Sequence, residues 1–470
     1  MESSCGALMV QGASSWAGKS LLTTALARML HRRGVDVAPF KAQNMSNNAR
    51  VVAGGEIGTA QYLQALAAGV EPDVRMNPVL VKPEADNQSQ VVVLGKPDLE
   101  LSRLPWRERP PVLWPVIERS LQSLRAEHDL LLLEGAGSPA EINLRDLANM
   151  RTAEAADARV IVVADIDRGG AFAHLYGTWA LLPEPERERI EGFVLNKFRG
   201  DLSLLPPGPE RLEAATGVPT LGVLPWLEHA LPDEDGAAPA CGRPGRMPVA
   251  VVRYPTASNL DEFKQLEQVA DLRWAARPDE LERAELVILP GSKHVAADLA
   301  WLARSGLADA VRERVRRGRR VLGICGGMQM LGERIEDAAG VDGTADGLAL
   351  LPLRTRYTAA KQTGITSTRF GPLPEPWAAL AGKSFAGYQI RHGRTETSGP
   401  VAEALPENLG FANGPVLAIY LHGLFDQPEL LAALLGALPA RTLEQTFDEL
   451  ADAVEAHLDL APLLDQIGVT

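Results

Sequence analysis

Two short stretches carry residues whose types and order could do chemistry. In RVLGICGGMQMLG, residues 320–332, Cys325 closes an apolar run and is followed at once by Gly326 and Gly327. The pattern predicts a strand, a sharp turn and a helix, so the turn would expose the thiol. A helix N-terminus behind it lowers a thiol pKa and stabilises developing negative charge. Gly326 could offer an oxyanion N–H, and Gly327 could keep the turn unobstructed. The PGS turn at 290–292 offers further backbone N–H groups near Gly291. His422 follows the apolar run VLAIYL, 97 residues after Cys325. It could accept the thiol proton and return one to departing ammonia. The alternative is a buried core thiol and an unrelated loop histidine.

The second stretch is GASSWAGKS, residues 12–20, between an apolar run and a helical pattern. It approaches a Walker A loop, with five residues rather than four between Gly12 and Gly18. The glycines permit a tight turn whose N–H groups, Ser15 included, converge on phosphate oxygens. Lys19 can reach the terminal phosphates and Ser20 can ligate magnesium. An ordinary Gly/Ser turn opening a helix is the competing reading. Lys41, in APFKAQN, is a second cationic candidate, although such a lysine taken alone is commonly a surface residue. Glu134 ends four consecutive leucines in DLLLLEGAG. An acid at a strand's carboxyl end beside phosphates suits magnesium or a held water, against a plain turn carboxylate. DIDRGG at 165–170 repeats that arrangement. Asp165 and Asp167 alternate along one strand, so at most one faces the phosphates, and Asp165 is the candidate.

Elements must position these groups. Strands are expected at 7–12, 35–40, 129–135, 159–167, 192–197 and 219–225, with helical patterns such as 20–34 between them. Short apolar strands separated by helices imply a mostly parallel sheet covered on both faces. The Pro/Gly-rich segment 232–248 reads as a linker, with Cys241 an incidental thiol inside it. A second α/β stretch follows, with strands expected at 249–255, 285–292, 320–327, 385–393 and 416–423, and an acidic helical end at 429–470. The expected division is therefore 1–231, a linker at 232–248, and 249–470 with a C-terminal helical extension.

Composition limits the function. The 470 residues are too many for one ordinary core. With 46% apolar and 23% charged residues the chain reads as globular. A net charge of −13 argues against nucleic-acid or anionic-membrane partners, short of a local basic patch. Three cysteines and no CxxC pair give neither a disulfide framework nor structural zinc. No signal-type segment or long apolar run is present, so a cytoplasmic location is expected.

Several phrases occur together and in order: VQGASSWAGKS, APFKAQNM, NPVLVKP, LLEGAGSPAEINL, DIDRGGAFAHLYGT, NKFRGD, LPGSKH, GICGGMQMLG and YLHGLFD. From about residue 8 to 427 the chain thus resembles the cobyric acid synthase family, glutamine-dependent amidating enzymes of cobalamin biosynthesis. The resemblance implies a P-loop domain of dethiobiotin-synthetase type followed by a class I glutamine amidotransferase domain. It implies ATP, magnesium and glutamine as requirements, with cobalt arriving only inside the corrinoid substrate. The implied reaction is four amidations of adenosylcobyrinic acid a,c-diamide to adenosylcobyric acid. It maps the glutaminase nucleophile to Cys325, its base to His422, and the phosphate loop to Gly12 through Ser20. Lys41 and Glu134 map to nucleotide and magnesium positions. The rivals are cobyrinic acid a,c-diamide synthase, which amidates other carboxylates, and a non-enzymatic P-loop regulatory protein.

Two departures stand out. Many relatives carry Asp in the phosphate loop, as in SDVGKS, where this chain has Trp16. Trp16 could pack on the corrin ring or shield the loop, with Asp165 or Glu134 standing in for the acid. General glutaminases also place Glu two residues after the histidine, where this chain has Leu424. That predicts a dyad, or a histidine oriented by some other group.

Overall fold

The computed structural model describes residues 5–85, 88–141, 143, 146–232 and 245–469. Most of the expected linker, Cys241 included, lies outside the described residues. The chain forms two compact units. The first comprises Met1–Ser46, Val52–Glu234 and Thr442–Thr470, and the second Asn47–Val51 with Asp235–Arg441.

In the first unit six parallel strands form one sheet. Their spatial order is Thr220–Pro225, Ile190–Phe198, Arg159–Asp165, Gly6–Gly12, Leu130–Glu134 and Val37–Phe40. The inner strands are continuous apolar runs because both faces are covered. Leu130 through Leu133 are fully buried, with alternate residues in different cores. Gly6–Gly12 lies at the centre, where strand order reverses and a crevice opens at the carboxyl ends. The helix Lys19–Arg32 leaves from there, and His31 and Arg32 in its last turn suit the negative end of its dipole. A smaller sheet of Gln43–Met45, Val79–Ala85, Gln88–Val93 and Lys96–Asp98 has no counterpart in the sequence expectations.

The C-terminal segment departs from the expected division. Thr442 and Gln445 form a capping box that opens the helix Leu443–His457. Its apolar stripe, Phe447, Leu450, Ala451 and Val454, is buried with Leu22, Leu26 and Met29 of Lys19–Arg32. Asp448 and Asp452 meet Arg28 and Arg32 at 2.7 and 2.6 Å. Residues 442–470 are therefore part of the first unit, not an extension of the second. Adjacency in sequence had assigned them to the nearer domain; the apolar stripe assigns them to the core it fills.

The second unit is built on a seven-stranded sheet. Its order is Ala270–Ala275, Met247–Val252, Leu286–Leu289, Arg320–Ile324, Val416–Ile419, Gly410–Asn413 and Ala402–Leu405. The first five are parallel and the last two antiparallel. The strand expected at 385–393 is found within Ser384–Thr397, but in a different sheet. It pairs antiparallel with the long strand Leu353–Arg369. Among the described residues no helix is long and apolar enough to cross a membrane.

Candidate active site

The phosphate loop begins at the carboxyl end of Gly6–Gly12. A Cβ on Gly12 would lie 2.8 Å from the Ser14 carbonyl oxygen and 3.1 Å from Lys19 Nζ. At Gly18 φ is +98°, and a Cβ would fall 2.0 Å from Asn196 Nδ2. Both positions therefore demand glycine. Lys19 is buried and donates to the carbonyls of Ser14 at 3.4 Å and Gly137 at 3.3 Å. Its ammonium is thus held over the loop. Ser15 is exposed at the loop crown.

Glu134 collects the remaining groups. Ser20 Oγ donates to its Oε1 at 2.8 Å, and Lys41 Nζ sits 2.6 Å from the same oxygen. Gln64 and Gln61 donate to Oε2 at 2.5 and 3.5 Å. Lys41 is 2% exposed, so the surface-lysine reading fails. A buried ammonium needs a buried partner, and here that partner is Glu134. Ser20 and Glu134 together present hard oxygen donors at the start of a helix. Magnesium, which keeps several waters and takes one or two carboxylates plus phosphate oxygens, fits this set.

Asp165 stands elsewhere. It ends the strand on the opposite side of Gly6–Gly12 from Glu134. Its Oδ2 pairs with Lys197 Nζ at 2.9 Å and Arg168 Nε at 3.4 Å, and its Oδ1 accepts the Asp167 N–H. The expected trio of Ser20, Glu134 and Asp165 is thus split two and one. Lys197 also donates to the Trp16 carbonyl at 2.6 Å, and Asn196 to that of Ala17 at 2.9 Å. Asp165 therefore steadies the lysine that steadies the loop. Trp16 has φ +65° and is 39% exposed, so its ring does not serve the core.

In the second unit Cys325 sits where Arg320–Ile324 ends and the short helix Gly326–Leu331 begins. Its φ of +53° and ψ of −106° are strained for a residue with a side chain. Glycines make the turn fit. A Cβ on Gly327 would meet the Leu289 oxygen at 1.9 Å, and one on Gly326 would meet the Ser292 nitrogen at 2.7 Å. The PGS turn is therefore pressed against the Cys325 turn, and a Cβ on Gly291 would be 3.1 Å from His422 Cε1. The Gly327 N–H is committed to the Pro290 carbonyl at 3.0 Å.

Cys325 stands close enough to His422 to act on its charge, while its Sγ donates to the Ile390 carbonyl at 3.6 Å. On its other side Nδ1 lies 2.9 Å from Glu262 Oε1, and the Gly423 N–H donates to Glu262 Oε2 at 3.3 Å. Tyr388 stacks on the imidazole at 5.3 Å and exchanges backbone hydrogen bonds with it. Burial alone would lower the His422 pKa. The facing Glu262 carboxylate and Cys325 overcome it and raise the value to about 10. The histidine is thus an imidazolium at neutral pH, oriented by a carboxylate 160 residues upstream in chain order.

The sequence expectations missed Glu262, Gln61, Gln64 and Lys197. NLDEF at 259–263 has no local pattern that would mark Glu262. For the two glutamines the only cue was their i, i+3 spacing on one helix face.

Comparison with known proteins agrees with this layout. Residues 8–235 match the CobQ/CobB/MinD/ParA nucleotide binding domain, and residues 248–430 match the CobB/CobQ-like glutamine amidotransferase domain. A cobyric acid synthase of Polaromonas sp. is 53% identical over 489 aligned residues, covering 96% of each chain. The Variovorax paradoxus enzyme of that name is 54% identical, covering 97% of this chain and 98% of its own. That of Paracidovorax citrulli is 55% identical, covering 97% of each. With a phosphate-loop domain and a glutamine amidotransferase domain in one α/β chain, and relatives of this closeness along nearly all of it, the chain belongs to the cobyric acid synthase family.

Proposed function

We propose that the chain amidates the b, d, e and g carboxylates of adenosylcobyrinic acid a,c-diamide, using ATP and glutamine, to give adenosylcobyric acid. The observation that carries the reading is the joint presence of a thiol–imidazolium–carboxylate line and a Lys19–Ser20–Glu134 cradle, each complete in its own unit.

In the glutaminase half, Cys325 Sγ attacks the side-chain amide carbon of glutamine. The Gly326 N–H and the turn at Gly291 offer the oxyanion its donors. His422 gives a proton to the leaving nitrogen, ammonia departs, and a thioester remains. His422 then takes a proton from water, which cleaves the thioester to glutamate.

In the synthetase half, a carboxylate oxygen of the corrinoid attacks the γ-phosphorus of ATP, and ADP leaves. Lys19 and the loop N–H groups stabilise the charge on the transferring phosphoryl group. Magnesium, when bound at Ser20 and Glu134, supplies further charge neutralisation at the phosphates. Lys41, held at Glu134, adds a second positive charge on that side of the loop. Ammonia attacks the acyl phosphate carbon, phosphate leaves, and an amide results. A cavity of about 120 Å³ supports this assignment. Trp106, Leu113, Pro139 and Leu147 are among its lining, and it borders Ala136 and Ser138, on either side of the Gly137 that Lys19 contacts. It is a seat for one peripheral arm of the acceptor.

Mass spectrometry of the products from the adenosylated a,c-diamide, ATP, Mg²⁺ and glutamine tests the reading. Four carboxyl-to-amide conversions are expected. An unchanged corrinoid mass with folded protein overturns it.

A further inference from the structure

We propose that Arg50 is a positioning residue of the glutaminase: it clasps the turn bearing Glu262 to the turn following His422, and so keeps carboxylate and imidazole in register. The inference rests on the reading of Cys325 and His422 as the glutamine-hydrolysing pair.

The geometry is specific. Arg50 Nε and Nη2 lie 3.1 and 3.0 Å from Asp261 Oδ2, on the residue next to Glu262. Its Nη1 lies 2.5 Å from Asp426 Oδ2, four residues beyond His422. One guanidinium thus joins Leu260–Phe263 to Leu424–Asp426, the two turns between which the Glu262–His422 hydrogen bond is made. The guanidinium carbon also lies 5.2 Å from the centroid of the Tyr388 ring, which stacks on the His422 imidazole. Three hydrogen bonds through side chains fix the segment: Leu260 N–H donates to Asn48 Oδ1, and Asn259 Nδ2 donates to both the Ala49 carbonyl and Tyr388 Oη, each at 3.1 Å.

Charge gives the reason. Asp261, Glu262 and Asp426 bring three carboxylates to the two segments that flank His422. A planar, permanently charged fork satisfies two of them and leaves Glu262 for His422. The groups facing His422 are then Glu262 and Asp261 from one turn, Cys325 and the stacked Tyr388, while Arg50 and Asp426 stand behind them beside Asp261 and Tyr388. Arg50 comes from an unexpected part of the chain. Residues 47–51 belong to the second unit, while the residues before and after them belong to the first. Lys41 of the phosphate site is nine positions upstream. Glutamine hydrolysis therefore depends on a side chain that the synthetase stretch of the sequence supplies.

The test compares full-length wild type, Arg50→Met, Arg50→Lys and Asp426→Asn. It measures kcat and KM for glutamine, amidation driven by ammonia, and the pH profile of Cys325 alkylation by iodoacetamide. For Arg50→Met the glutamine-dependent kcat should fall about tenfold or more with KM nearly constant, since general acid–base geometry is lost. The alkylation profile should shift, ammonia-driven amidation should persist, and Arg50→Lys should recover part of the loss. Asp426→Asn, which opens one arm of the clasp at a side chain 38% exposed, should show the same pattern more weakly. It decides the matter if Arg50→Met does not fold. Wild-type kcat in these variants, or equal losses with glutamine and ammonia, overturns the role of Arg50. A wild type that does not hydrolyse glutamine, or a Cys325→Ala variant that still does, overturns the underlying reading instead.

Discussion

At the scale of single residues the proposed glutaminase is a charge arrangement around His422. Its native pKa of about 10 lies above the ordinary histidine value, so the stabilising contribution of the Glu262–His422 pair is complete below about 6.5. That contribution is lost as pH rises through about 10. Glu262→Gln removes the carboxylate that raises the value and leaves Cys325 alone to oppose burial, which lowers it. In that variant glutamine-dependent kcat should drop by about a hundredfold, and an NMR titration of His422 should place its pKa below that of the wild type. Cys325→Ala should abolish glutamine use and spare ammonia-driven amidation, measured as amide formed at high ammonia. Cys325 and His422 were legible because each ends an apolar run beside glycine. Glu262 was not, because a residue brought in by tertiary folding leaves no mark at a fixed offset from the histidine it holds. Lys41 and Asp165 show the same limit from the other side. Their types suggest a phosphate site, but burial and ion pairing, which decide what they touch, are not local properties.

At the scale of elements, the parallel strands could be read because burial on both faces writes an unbroken apolar run, as in residues 130–133. The hairpin of Leu353–Arg369 and Ser384–Thr397 hides from that criterion. It faces solvent along much of its length and carries sequences such as TAAKQTGITSTR. The helix Leu443–His457 was legible as a helix but not in its address, since an apolar stripe does not name the surface it will cover. Its energetics follow from the packing. Phe447 is fully buried among Leu22, Leu26 and Met29, so Phe447→Ala should cost about 3–5 kcal/mol of stability in chemical unfolding of the first unit. Asp452→Ala, which removes a largely exposed partner of Arg32, should cost under about 1 kcal/mol in the same measurement. The contrast separates core burial from surface pairing along one helix.

At the scale of the whole molecule, neither unit is a continuous stretch of chain. The first is completed by Thr442–Thr470 and the second by Asn47–Val51. A chain ending at Arg441 should therefore lose the first unit while keeping much of the second. Limited proteolysis is expected to cut within the nucleotide-binding half first, and ATP binding by calorimetry should vanish. An intact, ATP-binding first unit in that truncation would count against the packing of Phe447 and its neighbours. A time order of synthesis follows from the same feature. Chains are made from the N-terminus, and domains generally fold as they emerge. The half begun first waits for residues 442–470 before it is covered, whereas the amidotransferase sheet has every strand once residue 419 is made. On the ribosome, the nucleotide-binding half is begun before the amidotransferase half and completed after it.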